Sequence, residues 1–267
     1  MEVFNMKKIV ILGLSLILLI SVGGCGDDAD VLKVGASAVP HAEILEFAKP
    51  LLAEQGIEME IVVYDDFIQP NLNLSDGEID ANFFQHRPFL DSFNAEYGRE
   101  LVGLVAVHIE PMGIYSQQLD NLGEISPGCK VLIPSDPVNE GRSLALLERA
   151  GLIKLKAGVG ISATLNDIVE DPYSLDIKEL DAAFIVNALP DAGLAVINTN
   201  FAIQAGLIPV RDALYLEDGQ SCYANLLVVN KEDQDEEKLL ALAQILKSEA
   251  VAQFIEDTYA GQITPAN

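Results

Sequence analysis

The stretch "LKVGASAVPHAEILEFAKPLLAEQGIEMEIVVYDD", Leu32 to Asp66, decides the fold class. "LKVGAS" is an apolar run with β-branched character, and Pro40 sets it apart from the next segment. "HAEILEFAKPLLAEQG" then repeats apolar residues at helical spacing as far as Gly56, where the pattern stops. "IEMEIVVYDD" alternates as a strand. A short helix in "QPNLNLSDGEI" crosses back to a third strand edge at "DANFFQH". Two successive strand-helix-strand units predict an α/β fold on a parallel sheet.

The later chain repeats this plan. "LVGLVAVHIEPMGIYS", Leu101 to Ser116, is long and apolar, and Pro111 and Gly113 interrupt it as a crossover between two lobes would require. "KVLIPSD" is then a buried strand, "PVNEG" a loop, and "RSLALLERAGLI" a helix closed by Gly151. "LAVINTN" carries Asn198 and Asn200 to a strand end, and "ANLLVVN" returns to the first lobe. The expected architecture is two α/β lobes joined by a two-strand hinge, with residues 31–110 plus 226–267 in the first and 111–225 in the second. The acidic tail after Lys231 predicts one amphipathic helix or a broken pair, its acidic start placed at the positive end of the helix dipole.

The N-terminus decides the compartment. Lys7 and Lys8 precede the apolar run Ile9 to Val22, which gives way to Gly23, Gly24 and Cys25. The run is shorter than the roughly 20 residues of a spanning helix and ends in small residues, the layout of a signal peptide over 1–24. The tetrad Val22-Gly23-Gly24-Cys25 resembles a bacterial lipobox, in which the cysteine is acylated and becomes the new N-terminus; the alternative is an ordinary signal peptide with a chance cysteine. On the lipobox reading, Cys25 carries the lipid, palmitate included, and residues 25–30 form a tether. Two acyl chains suffice to hold a soluble domain on a membrane.

Removing residues 1–24 takes out Glu2, Lys7 and Lys8, which leaves 40 acidic against 14 basic side chains and a net charge of −26. Nucleic acid is excluded as a partner, because binding it requires Lys and Arg to neutralise phosphates. Besides Cys25 there are only Cys129 and Cys222, in no ligand-like spacing; a disulfide between them is possible outside the cytoplasm, and two unpaired thiols are the alternative. His41, His86 and His108 lack neighbours at metal-ligand spacing, so neither metal nor cofactor is expected. "GVGISA", Gly158 to Ala163, has no preceding strand and is expected to be a turn.

Open α/β sheets bind ligands at the carboxyl ends of their strands. That directs attention to segments 37–41, 64–71, 82–86, 108–112, 135–142, 198–200 and 221–225. Arg142, placed at the expected start of a helix, suits a carboxylate clamp; pairing with Glu140 or Glu148 at the surface is the alternative. Asn198, Asn200 and Asn225 offer uncharged donors and acceptors, or serve as turn caps. Tyr64, Phe67, Phe83 and Phe84 are candidates for an apolar wall, but strand alternation forbids Phe83 and Phe84 from facing one cleft together.

Taken together, "VPHAEILEFAKPLL", "QPNLNLSDGEIDANFFQH", "VHIEPMGIYS", "NEGRSLALLERAGLIKLK", "AVINTNFAIQAG" and "SCYAN" resemble the methionine-binding lipoproteins of bacterial ABC uptake systems, the NlpA/MetQ family. The resemblance spans nearly the whole chain after the leader. It implies a type II periplasmic-binding-protein fold, methionine as the ligand, and delivery to a membrane permease driven by an ATPase from a lipid anchor on the extracytoplasmic face. It further implies an aromatic wall at Phe67 and Phe84, a histidine at His86, a carboxylate clamp at Arg142, and amide contacts at Asn198, Asn200 and Asn225. Two positions depart from the family pattern: Phe67 stands where tyrosine is usual, and Cys222 where proline is common. A related ligand, such as D-methionine or a methionine peptide, therefore stays open. So do an enzyme using His86 as base and a structural lipoprotein with a vestigial cleft.

Overall fold

The computed structural model of the protein describes residues 31–219 and 221–266. The expected signal peptide, Cys25 and the tether lie outside these residues. Along the chain come β1 (Leu32–Ser37), α1 (Glu43–Ala53), β2 (Met59–Tyr64), α2 (Gln69–Ser75), β3 (Ala81–His86), α3 (Arg87–Tyr97) and β4 (Leu101–Ile109). Next are β5 (Gly113–Tyr115), β6 (Lys130–Pro134), α4 (Pro137–Arg149), β7 (Lys154–Leu155), β8 (Ile168–Glu170), β9 (Asp176–Leu180), α5 (Ala182–Ala188) and β10 (Leu194–Ile197). The remainder is α6 (Thr199–Gln204), α7 (Pro209–Asp212), β11 (Tyr215–Leu216), β12 (Ala224–Asn230), α8 (Glu237–Leu246), α9 (Glu249–Tyr259) and β13 (Thr264–Pro265). None of the described helices is long and apolar enough to cross a membrane.

Two sheets organise these elements. The first runs in the order β13, β4, β12, β3, β1, β2, and the second in the order β11, β5, β10, β6, β9. β1 pairs in parallel with β2 and β3, as the opening strand-helix-strand pattern requires, while β12 enters antiparallel between β3 and β4. The chain passes from the first sheet to the second through Glu110, Pro111 and Met112, and it returns between β11 and β12. Those are the two crossings expected of a two-lobed binding fold.

Each sheet is covered on both faces, because alternate residues of its central strands point in opposite directions. In β12, Leu227 and Val229 join Ile44, Leu45 and Leu52 of α1 and Leu239, Leu242 and Ile255 of α8 and α9. Leu226 and Val228 join Leu74, Leu90 and Phe93 of α2 and α3 on the other side. The second sheet does the same: Val131 and Ile133 meet Leu144 and Leu147 of α4, and Leu132 meets Ile185 and Phe201 of α5 and α6. Burying each such side chain contributes about 1.5–3 kcal/mol, so both sheets are rigid bases for the loops at their strand ends.

Four local expectations change. "PVNEG" is not a loop, because Pro137 occupies the first helical position of α4 and Asp136 caps it, accepting from the Asn139 N–H at 2.9 Å. Arg142 thus stands in the second turn rather than at the helix N-terminus. Asn200 lies inside α6 instead of ending a strand. Asn225 pairs with His86 and His108 in the first sheet, whereas the sequence groups it with the second-lobe asparagines. "GVGISA" is a turn as expected, with Gly160–Ser162 pressed onto α4 where Gly141 leaves room.

Candidate functional site: a cleft between two sheets

A cleft with about 360 Å³ of empty space, the solvent at its mouth included, opens between the strand ends of the two sheets. Phe67, Phe84, His86, Arg142, Asn198, Asn200 and Asn225 all line it. Gln85, Phe89, Glu110, Asn139 and Thr199 line it as well. Tyr64 is not among its lining residues. Phe83, on the opposite face of β3 from Phe84, is in the core against His41 and His108, with ring centroids 4.7 and 5.3 Å away.

One wall is aromatic. Phe67, on the loop after β2, stacks on Phe84 at 5.9 Å and meets Phe89 edge-on at 5.9 Å. It also touches Phe201 of α6 at 5.0 Å, so the wall draws on both sheets. Sulfur next to aromatic edges gains about 0.3–1.5 kcal/mol, which makes this wall suited to a thioether.

The opposite end is polar and charged. Arg142 is buried, and Glu217, not Glu140 or Glu148, pairs with it: Nε donates to Oε2 at 3.1 Å and Nη2 to the same oxygen at 2.5 Å. Nη2 also donates to the Glu110 carbonyl at 2.8 Å, and the guanidinium carbon stands 4.0 Å from the Tyr223 ring centroid. A fork braced this way keeps its orientation without a ligand.

The amides around it are only partly satisfied. Asn198 Nδ2 donates to Asn139 Oδ1 at 3.1 Å, but Asn198 Oδ1 and Asn200 Nδ2 are buried with no hydrogen-bond partner among the described residues. Leaving a buried donor or acceptor unmade costs about 1–3 kcal/mol. One orphaned acceptor and one orphaned donor at a single cleft match a ligand with an ammonium and a carboxylate.

The histidines are neutral. Burial, reinforced by Arg142, pushes His86 down to about 3, and its Nδ1 accepts from the Phe89 N–H at 3.3 Å. Burial also lowers His41 to about 4 and His108 to about 3. The turn after β1 carries His41 to the end of β4, where His108 and Glu110 stand two residues apart. His108 Nε2 lies 2.8 Å from Glu110 Oε1, and His41 Nε2 lies 3.2 Å from the same oxygen. Ser37 Oγ meets His41 Nδ1 at 2.6 Å. Two imidazoles and a carboxylate form a donor set that a metal ion can use; the short His108 contact is equally a hydrogen bond within the triad. Burial raises the Glu110 carboxyl, with His41 and Arg142 opposing that rise. Cys129 and Cys222 are not bonded to each other.

Glu110, Asn139, Thr199 and Tyr223 fall within the strand-end segments that sequence reasoning singled out, though it did not name them. Glu217 and Phe201 fall outside those segments. Nothing local distinguishes Glu217 among so many acidic residues.

Two sheets, two crossings and a cleft between their strand ends define a two-lobed substrate-binding protein of the periplasmic type. A family model described as NlpA lipoprotein matches residues 32–267, and the chain belongs to that family. It is 39% identical over 264 residues to the D-methionine-binding lipoprotein MetQ of Salmonella typhimurium, covering 97% of each chain. Among solved structures, an ABC transporter periplasmic substrate-binding protein from Coxiella burnetii matches with TM-score 0.84 and 41% identity over 88% of this chain and 100% of that one. A nutrient-binding protein from Burkholderia cenocepacia, solved with methionine bound, matches with TM-score 0.86 and 39% identity over 88% and 100%.

Proposed function

We propose that the protein captures methionine in the cleft and delivers it to an ABC permease and its ATPase, working as a binding protein and not as an enzyme. The observation that carries this is the pairing of an orphaned acceptor and an orphaned donor, Asn198 Oδ1 and Asn200 Nδ2, with the braced Arg142 fork. Arg142 and Asn200 take the carboxylate, Asn198 and Asn225 assist at the ammonium end, and His86 closes the side of the cleft. Phe67 and Phe84 cover the thioether. Lobe one is residues 31–110 with 224–267, lobe two is 111–223, because β12 with Asn225 belongs to the first sheet, and closure is favourable because the ligand touches both.

Support for transport comes from relatives described as D-methionine-binding and methionine-binding lipoproteins and as an ABC transporter periplasmic substrate-binding protein. The lipobox-like Cys25 supports a lipid anchor on the extracytoplasmic face of the membrane. Against catalysis, a general base works best with a pKa near the operating pH, whereas His86 is pushed down to about 3 and its Nδ1 is occupied by a backbone N–H.

Calorimetric titration with methionine, alanine and glycine tests the reading. Methionine should bind more tightly than alanine by about 1.5–3 kcal/mol, the gain from burying its side chain. Equal affinities would remove the aromatic wall from the proposal, and turnover of bound methionine would remove the non-enzymatic role.

A further inference from the structure

Phe67 touches Phe84, Phe89 and Phe201 alike, and of these four rings it alone stands on a loop, the others being on β3, α3 and α6. A ring on a strand or helix is placed by the backbone ladder; a ring on a loop needs another support. We infer that Asn71 and Asn82, neither of which lines the cleft, are positioning residues that hold Phe67 over Phe84 and thereby set the preference for methionine over amino acids with short side chains. This rests on the reading of the cleft as a methionine site and names residues outside it that govern its selectivity.

The support is a buried amide network between α2 and β3. Asn71, in the first turn of α2, and Gln85 of β3 form a reciprocal pair: Asn71 Nδ2 donates to Gln85 Oε1 at 2.9 Å, and Gln85 Nε2 donates to Asn71 Oδ1 at 2.6 Å. Asn82 Nδ2 donates to Asn71 Oδ1 at 2.8 Å and to the Pro70 carbonyl at 3.1 Å, and Gln85 Nε2 also donates to Asn82 Oδ1 at 2.9 Å. Asn71, Asn82 and Gln85 are 0%, 0% and 2% exposed. Asn82 and Gln85 each spend both amide hydrogens and Asn71 Oδ1 accepts twice, so the network admits one orientation of each side chain. A satisfied network in a buried setting is rigid, because any displacement leaves one of its members unpaired.

Chain connectivity carries this rigidity to Phe67. Only Ile68 and Gln69 separate Phe67 from Pro70, the residue whose carbonyl Asn82 holds. Asp66 Oδ1 accepts from the Ile68 and Gln69 N–H groups at 2.7 and 2.8 Å, and the Ile68 carbonyl accepts from the Asn71 N–H at 3.2 Å. The turn that bears Phe67 is therefore closed by Asp66 and pinned through α2 to β3, the strand that presents Phe84. The 5.9 Å stacking of the two rings is a distance within one frame. That frame meets the ligand at its side chain; the carboxylate is met from α4 and α6, by Arg142 and Asn200.

The test is calorimetric titration of the native protein, Asn82→Leu, Phe67→Ala and the double variant with methionine and with alanine. The native protein should prefer methionine by about tenfold or more. Asn82→Leu keeps the bulk and removes the hydrogen bonds, so it should cut that preference by about threefold or more while leaving alanine within about twofold. Phe67→Ala should cut the preference too, and adding Asn82→Leu to it should change the ratio by less than about twofold, as for residues that act through one another. An unchanged ratio in Asn82→Leu, both ligands weakened equally, or two effects that multiply in the double variant overturns the inference and leaves the methionine reading standing. Should Asn82→Leu fail to fold, hydrogen exchange of the ligand-free native protein decides. Slow exchange of the Asn71 and Leu72 N–H groups, both bonded to the Ile68 carbonyl, supports the pinned turn, and exchange at the rate of an unfolded chain overturns it. A native protein that binds alanine as tightly as methionine overturns the aromatic wall, and this inference with it.

Discussion

Arg142 and Glu217 form a buried ion pair across 75 residues of sequence, with Nη2 2.5 Å from Oε2 and the two side chains 4% and 2% exposed. The pair is a support behind the cleft wall, because Glu217 is not among the cleft-lining residues while Arg142 is. It also ties the crossing segment, since Glu217 Oε2 accepts from the Met112 N–H at 3.2 Å.

Removing one member strands the other charge. Glu217→Ala should destabilise the fold by about 3–5 kcal/mol, the range for an uncompensated buried partner, and urea unfolding measures it. A loss under about 1 kcal/mol would mean that the guanidinium reaches water or another anion.

On the ligand side, Arg142→Ala should weaken methionine by about 2–5 kcal/mol. Calorimetry on a preparation shown to be folded by its thermal transition reads this directly, and a loss below about tenfold would refute the clamp.

Gly141 is the residue that lets α4 and the Gly160–Ser162 turn touch. A Cβ built there collides with the Ile161 carbonyl oxygen. Glycine in a helix interior ordinarily costs about 0.5–1 kcal/mol relative to alanine, so Gly141→Ala would be stabilising if the helix stood alone. Overpacking costs about 1–3 kcal/mol, and a lowered melting temperature is therefore expected; a raised one contradicts the close approach.

Acid should weaken the fold through the buried imidazoles. His86 and His108 are pushed down to about 3 and His41 to about 4, against about 6.5 in the unfolded chain. The unfolded state then binds more protons in this window, so their contribution is complete above about pH 6.5 and is lost as pH falls towards the folded values. Glu110, Asp136 and Glu140 have the opposite sign, because burial raises their carboxyls and they regain stability on protonation, so they oppose the imidazoles in the same window. His108→Gln should make the slope of unfolding free energy against pH less positive between about pH 6.5 and 4, by up to about 1.4 kcal/mol per pH unit. An unchanged slope would mean that His108 is protonated to the same extent in both states.

Much of the site is local information. Strand alternation puts Phe84 and His86 on one face of β3 and Phe83 on the other, and loops at strand ends are where the cleft forms. The start of α4 is hidden in the sequence because Asp136 and Pro137, a cap and a first helical residue, also have the composition of a turn.

By itself the sequence determined the α/β order of elements, the two crossings and the acidic charge, and it offered Arg142 and Asn198 as strand-end and helix-start candidates, while the choice of Phe67, Phe84 and His86 came from the family resemblance. The order of elements and the charge arise from periodicities and composition within a few residues of each other. Only the tertiary structure decided that Glu217 braces Arg142, that Asn225 belongs to the first sheet and that His41 and His108 converge on Glu110. The physical reason is that sheet register and helix docking choose which distant side chains become neighbours, and a carboxylate gains its role from the cation or imidazole placed beside it.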